Sequence, residues 1–190
     1  DRATAHFEQG RANLAGANVQ GAEIAGAMLE GADLTGANLR DTQFSESLLS
    51  KANFSGADLT GASFEGCLLD DAVFSDAQLD GFTMASCAAG RADFRGALLA
   101  RCVIEGCALE AAVFAGCDMT GANLSGSVFT LADLSGAKLV GANLEQAVLT
   151  EANLAGANCT DAVLSGAILD KASAVGAIFR GVDFGAEVLF

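Results

Sequence analysis

The stretch "GADLTGANLR", residues 31–40, writes nearly the same phrase twice: a small residue, Asp or Asn, Leu, a polar residue and Gly. A period of five belongs neither to an α-helix, at about 3.6 residues per turn, nor to a simple strand, at about two. Steps of five from Leu34 reach Leu14 in one direction and Leu189 in the other. All 36 positions in this register are apolar, mostly Leu or Phe, with Ala89, Cys159 and Ala174 the small exceptions. Two residues before each of them, 33 of 36 positions hold Ala, Cys, Ser or Thr, and only Phe82, Val182 and Glu187 depart. Each unit thus supplies one small and one large inward residue, separated by one that points outward, as alternation along an extended segment requires. Gly is common two residues past the large one, where a corner uses its freedom at positive φ.

These residues resemble the pentapeptide-repeat family, whose phrase is written A-(D/N)-L-x-x. "GADLT" at 31–35 and again at 56–60, "GANLR", "GANLS" and "GANLE" match it closely, and the resemblance runs over roughly residues 11–186. It implies an all-β fold: a right-handed, four-sided parallel β-helix with four pentapeptides per coil, so that residues 20 apart stack. The sequence carries that second period independently. Phe54, Phe74, Phe94 and Phe114 lie 20 apart, as do Cys67, Cys87 and Cys107, and Asn123 with Asn143. One outward column, Met28, Leu48, Leu68, Ala88, Ala108, Val128, Val148, Ile168 and Val188, is apolar at nine of nine positions, whereas the other three faces are apolar at only six of 27. That contrast exists only if every fourth unit occupies the same face.

Each coil then pairs its backbone with the coils above and below, and neighbours supply the burial that one coil lacks. About nine coils at a spacing of ~4.8 Å give a rod roughly 43 Å long. Residues 1–10 break the pattern and are expected to form an irregular N-terminal cap, with Phe7 over the first coil; 11–186 form a single β-helix without linkers. "EVLF", 187–190, resembles a tag-cleavage remnant, which would account for Glu187 in an inward slot and leave the stripe with eight members, Met28 to Ile168. In the irregular coil of residues 80–90, Phe82 is oversized and Ala89 undersized for their slots, an exchange of volume that a core tolerates better than a net loss.

The chain has 12 Phe and 23 Gly but no Trp, Tyr or Pro, and its net charge is −14. Charged and amide residues interrupt every apolar run well short of the ~18 residues that a spanning helix needs, so membrane insertion is not expected. With no secretory leader visible, a cytoplasmic location is the default, and a secreted accessory role stays open. No Lys/Arg cluster exists to neutralise phosphates, which argues against direct nucleic-acid binding.

Five of the six cysteines, Cys67, Cys87, Cys102, Cys107 and Cys117, take the small slot, and Cys159 takes a Leu slot, so they read as buried filler. No C-x-x-C occurs and the single histidine is His6, so no metal site is expected. Acid/base or nucleophilic catalysis needs groups converging in a pocket, and outward carboxylates on convex faces do not converge. The chain therefore reads as a non-enzyme without cofactor.

The apolar stripe is the candidate site. A contiguous apolar column marks an interface with another protein, whether a second copy or another domain. Glu30, Asp70, Glu110 and Asp170 flank it, and the next corner carries Lys51, Asp71 and Arg91, a polar rim around a dry centre. The family resemblance implies two competing roles. One is a rigid adaptor or spacer, as in the appended domains of bacterial secretion accessory proteins. The other is an acidic DNA mimic that inhibits or protects type II DNA topoisomerases, for which Asp58, Glu65, Asp76 and Asp80 are the candidate acids. Residues 41–90 hold eight acidic residues against Lys51 alone. Duplex DNA of the same ~43 Å carries about 25 charges, so the match in density is partial.

Overall fold

The computed structural model describes residues 12–185; the irregular start with His6 and Phe7, and the segment 187–190 with Val188, lie outside the described residues. Within them the chain is a parallel β-solenoid. Its longest extended segments are β1 (Glu23–Ala25), β2 (Gln43–Ser45), β3 (Ser63–Glu65), β4 (Thr83–Ala85) and β5 (Val103–Glu105), all on one face. They pair in parallel in chain order, β1-β2-β3-β4-β5, and every pairing steps by 20 residues, as in Ile24 opposite Phe44 and Phe64 opposite Met84. Single parallel pairings with the same step continue this third face to Asp183. They build three more ladders: a first face from Asn13 to Ser173, a second from Asn18 to Ile178 and a fourth from Met28 to Ile168. The two sequence periods are thus the side and the coil.

Inward residues fill the axis. Leu34, Leu39, Phe44 and Leu49 lie in successive units and are buried, as are the small residues Ala32, Ala37, Thr42 and Ser47 before them. Phe54, Phe74, Phe94 and Phe114 form a stacked column, with ring centroids 4.8, 4.7 and 4.6 Å apart and planes within 6° of parallel. The column spacing matches the backbone spacing between coils, so rings and peptide ladders are satisfied by one rise. Phe82 is buried against Phe64 (5.4 Å) and Phe74 (6.4 Å) in the coil below, while Ala89 is also buried.

The Asp/Asn of the family phrase has a local task. Its Oδ1 accepts the backbone N–H two residues on, as Asn13 does from Ala15, Asp33 from Thr35, Asn53 from Ser55 and Asn153 from Ala155. This is an Asx turn, which satisfies a donor that the coil-to-coil ladder leaves over.

At every corner from Gly16 to Gly181 the residue two past the large one has positive φ, between 48° and 73°. Most corners also close with a bond from the N–H of the small residue to the carbonyl three before it, such as Ala17 N–H to Leu14 O at 2.9 Å. The corners after β1 to β5 are different, because no such bond joins residue 27, 47, 67, 87 or 107 to its turn.

Candidate functional site: the apolar face and its rims

The eight stripe residues fall into one ladder, Met28–Leu48–Leu68–Ala88–Ala108–Val128–Val148–Ile168, each paired in parallel with the next. Their side chains alternate outward from the buried Leu29, Leu49, Leu69 and their successors. Met28 is 71% exposed, Leu68 44%, Leu48 39%, Ile168 37% and Val128 36%, whereas Ala88 and Val148 are half-buried. The fourth face therefore presents apolar surface over its whole described height. It also lacks the Asx acceptors of the other faces, so its outward positions give up a local hydrogen bond in order to be apolar.

The two edges of this face are unlike. The corner before it carries Gly26, Glu46, Gly66, Ser86, Gly106, Gly126, Gln146 and Gly166. The corner after it carries Gly31 and then Lys51, Asp71, Arg91, Ala111, Leu131, Glu151 and Lys171, all at φ of 56–61°. Seven of eight residues there have a side chain in the left-handed region, against seven of 26 over the other three corners. An L-residue in that region costs about 1–2 kcal/mol, somewhat less for Asp, and such strain persists where a side chain has a use. The edge is laced by Lys51 to Glu30 (3.5 Å), Arg91 to Asp71 (2.7 Å) and Lys171 to Glu151 (3.9 Å). Exposed pairs of this kind stabilise little by themselves. The Arg91 hydrogen bond still holds the Asp71 carboxyl below its usual range.

The four candidate acids are not gathered on one surface. Asp58 lies on the second face and Asp80 just past it, Asp76 is a corner residue, and Glu65 ends β3 on the third face. Two are partly neutralised: Arg40 reaches Asp58 at 3.1 Å and Arg101 reaches Asp80 at 3.3 Å. Burial raises the Asp58 carboxyl, but hydrogen bonds from Thr60 and the charge of Arg40 outweigh it and the net direction is down. An open depression of about 340 Å³ is lined by Glu105, Gly106, Ser125, Gly126, Glu145 and Gln146, and no hydrogen bond joins the Ser125 hydroxyl to either carboxylate.

The cysteines hold a role that sequence reasoning missed. All six are free and buried. Ser47, Cys67, Cys87, Cys107 and Ser127 form one inward column along the open corners after β1 to β5. At four of these five corners, all but the one after β2, they supply bonds that the turns lack. Ala27 N–H donates to Ser47 Oγ (3.0 Å), Cys67 N–H to Cys87 Sγ (3.4 Å) and Cys107 N–H to Ser127 Oγ (3.1 Å). In return Cys87 donates to Phe64 O (3.5 Å), Cys107 to Met84 O (3.4 Å) and Ser127 to Ile104 O (2.9 Å), the carbonyls that a closed turn would have used. From Ala147 onward the corners close and the column reverts to Ala. Burial pushes the Cys102 thiol up to about 12, and those of Cys117 and Cys159 up to about 11. A thiol with a pKa near 11 is only about one part in a thousand thiolate at pH 8, and the thiolate is the reactive form. Native protein should therefore leave Cys102, Cys117 and Cys159 unlabelled by a disulfide reagent at pH 8 over the minutes in which denatured protein titrates fully. Rapid native labelling of these three would show that the coils open readily.

The sequence model of the family described as pentapeptide repeats matches in eight copies, over residues 12–50, 47–84, 92–130, 127–158 and 157–185. The chain is a pentapeptide-repeat protein. Among solved structures, full-length QnrB1, described as a plasmid-mediated fluoroquinolone resistance protein, superposes with a TM-score of 0.80 at 24% identity over 93% of this chain and 91% of its own. A trypsin-treated variant of QnrB1 gives 0.81 at 26% identity, over 90% and 86%. HetL, a pentapeptide-repeat protein involved in heterocyst differentiation regulation from the cyanobacterium Nostoc sp. strain PCC 7120, is 26% identical over 87% and 86% with a TM-score of 0.45. No curated protein sequence matches the chain. No helix among the described residues is long and apolar enough to cross a membrane.

Proposed function

We propose that this pentapeptide-repeat solenoid is a non-enzymatic, rigid protein-interaction module that docks through its fourth face. The observation that carries the reading is the unbroken ladder from Met28 to Ile168, apolar at all eight outward positions in a chain of net charge −14. The neighbouring corner supports it, because seven side chains are kept there in strained backbone where Gly would be free of strain. A use as spacer or cargo adaptor in a secretion-associated protein follows from fold likeness alone.

The test compares proteins retained from lysate by the immobilised chain and by Leu68→Glu and Val148→Glu. Both positions are outward, so far-ultraviolet dichroism should be unchanged. A buried charge at an interface costs several kcal/mol, so retention of a specific partner should fall at least tenfold. An identical retained set for all three proteins would remove the stripe as the docking face.

A second reading, an acidic DNA mimic acting on type II DNA topoisomerase, is supported by the charge and by the likeness to QnrB1. It predicts that the chain inhibits or protects gyrase supercoiling at low micromolar concentration. The effect should weaken when Asp58, Glu65, Asp76 and Asp80 are changed to their amides. No effect at high concentration would end it. The Arg40 and Arg101 pairs and the dispersal of the four acids favour the first reading.

A further inference from the structure

Docking through the fourth face leaves the occupant of the stripe open, and any assignment of that occupant rests on the docking reading. We propose that the occupant is a second copy of this chain, laid face to face and antiparallel, in the register that sets the coil of Asp71 opposite the coil of Lys171. Charge complementarity along the strained corner and size complementarity along the stripe both select it.

When two such faces meet about a two-fold axis that reverses the solenoid direction, the corner after the fourth face meets itself in reversed order. In an isologous contact of this kind, residue i faces j and j faces i. In the proposed register Asp71 faces Lys171, Arg91 faces Glu151 and Ala111 faces Leu131, each twice. Every charge of the overlapping corner meets its opposite, and the uncharged pair falls at the centre. Within each chain Asp71 is already bonded to Arg91, and Glu151 lies beside Lys171. The contact therefore closes a ring of four charges, Asp71 and Arg91 of one copy with Glu151 and Lys171 of the other, in which each neighbour is of opposite sign.

The stripe agrees with the same register. Ala88 faces Val148 and Ala108 faces Val128, so a small residue meets a branched one across the centre, and Leu68 meets Ile168 at each end. The opposite edge carries Gly66, Ser86, Gly106, Gly126, Gln146 and Gly166 over this overlap, and the glutamates one residue earlier, Glu65, Glu105 and Glu145, face Ser165, Ser125 and Ala85 and not one another.

Other registers are worse. A slip of one coil one way sets Lys51 against Lys171 and Asp71 against Glu151; the other way sets Arg91 against Lys171. Full overlap matches Lys51 with Glu151 but leaves Asp71 on Leu131 and Arg91 on Ala111. A parallel pair sets the charged edge against the Gly-rich one and matches only Lys51 with Glu46, leaving Asp71 on Gly66 and Arg91 on Ser86. Like-charge facings of this sort reject wrong pairings as effectively as attraction selects the right one. The one like facing in the proposed register is Asp70 with Asp170 at each end, where Asp70 accepts from Gly90 N–H at 3.0 Å and Lys171 follows Asp170 in the chain.

The overlap of six coils spans roughly 29 Å at ~4.8 Å per coil. A contact of that height lies at the low end of interface sizes, so the dimer is expected to be reversible, with a dissociation constant on the order of tens of micromolar.

Sedimentation equilibrium of the full chain from about 1 to 500 µM tests the proposal, on the wild type, Arg91→Glu, Glu151→Arg, the double exchange and Leu68→Glu, each checked for its native dichroism. The wild type should dimerise. Each single reversal turns two symmetry-related attractions into repulsions and should weaken the dimer roughly tenfold or more, and the double exchange should restore it to within about threefold. Residues 91 and 151 are three coils apart within one chain, about 14 Å, so restoration reads contact between copies. A wild type that stays monomeric to the highest concentration overturns the second copy, while the docking reading is still decided by the retention experiment. A dimer sensitive to Leu68→Glu but not restored by the exchange overturns the register. A dimer indifferent to Leu68→Glu overturns the stripe as its interface as well.

Discussion

Phe94→Ala should lower the stability of the solenoid by about 3–5 kcal/mol, the largest effect expected of any single truncation in this chain. Phe94 is fully buried and stacks on Phe74 at 4.7 Å and on Phe114 at 4.6 Å. Truncation removes both ring contacts and leaves a void between two rings. In a layered bundle the neighbours would slide in to fill it. Here they are held apart, because Phe74 N–H bonds to Asp93 O at 2.7 Å and Phe94 N–H to Val113 O at 2.9 Å, and these ladders set the spacing of coils. The cavity therefore stays open and its cost is near the full value rather than the relaxed one. Phe94→Leu provides the control. Leu occupies the same slot in most units, so this change should cost less than about 1.5 kcal/mol. Phe179→Ala, at a partly buried site beside Phe184, should also cost less. Urea unfolding followed by far-ultraviolet dichroism measures all three. A loss under about 1.5 kcal/mol for Phe94→Ala would mean that the coils collapse onto one another and that the ladder does not fix their rise.

Why the fold was legible and the chemistry of its corners was not is explained by what a repeat encodes. Side-chain size at every fifth position reports which residues share an axis. The apolar column at every twentieth reports which share a face. Both survive in the sequence because burial selects volume directly. Hydrogen-bond geometry is written less plainly. Asn13 and Asp33 read simply as outward polar residues, although each accepts a backbone N–H two residues on. Lys51, Asp71 and Arg91 read as charges, while their left-handed backbone is invisible because Gly and non-Gly corners share one position in the phrase. The four acids, Asp58, Glu65, Asp76 and Asp80, are near one another along the chain, whereas four-fold winding distributes such neighbours around the axis. A signal for the cysteine column did exist. Of the eight polar or sulfur-bearing residues in small slots between Thr42 and Ser127, five, Ser47, Cys67, Cys87, Cys107 and Ser127, are separated by 20. Volume alone would have spread them over all four columns.

Ser127→Ala should cost about 2–4 kcal/mol although it removes a single oxygen, and the reason is what that oxygen joins. Ser127 is fully buried; its hydroxyl donates to Ile104 O at 2.9 Å and its Oγ accepts from Cys107 N–H at 3.1 Å. The corner after β5 has no turn bond from residue 107 to Ile104 O, so loss of the hydroxyl orphans a buried donor and a buried acceptor together. Ala147, one coil further, offers no hydroxyl to the corner of Ser127, and a corner so placed must close its own turn. Ser127 already leans towards that state, with its N–H at 3.4 Å from Leu124 O. It thus stands where open corners give way to closed ones. Ser127→Cys separates hydrogen bonding from packing. Cys87 makes the same two-sided contact in the same column, accepting from Cys67 N–H at 3.4 Å and donating to Phe64 O at 3.5 Å, so this variant should recover more than half of the loss. Thermal unfolding of the three proteins reads the difference, at about 2–4 °C per kcal/mol for a chain of this size. Equal stability of the Ala and wild-type proteins would show that the corner after β5 closes when its hydroxyl is removed, and that the polar column tunes the turn instead of holding it.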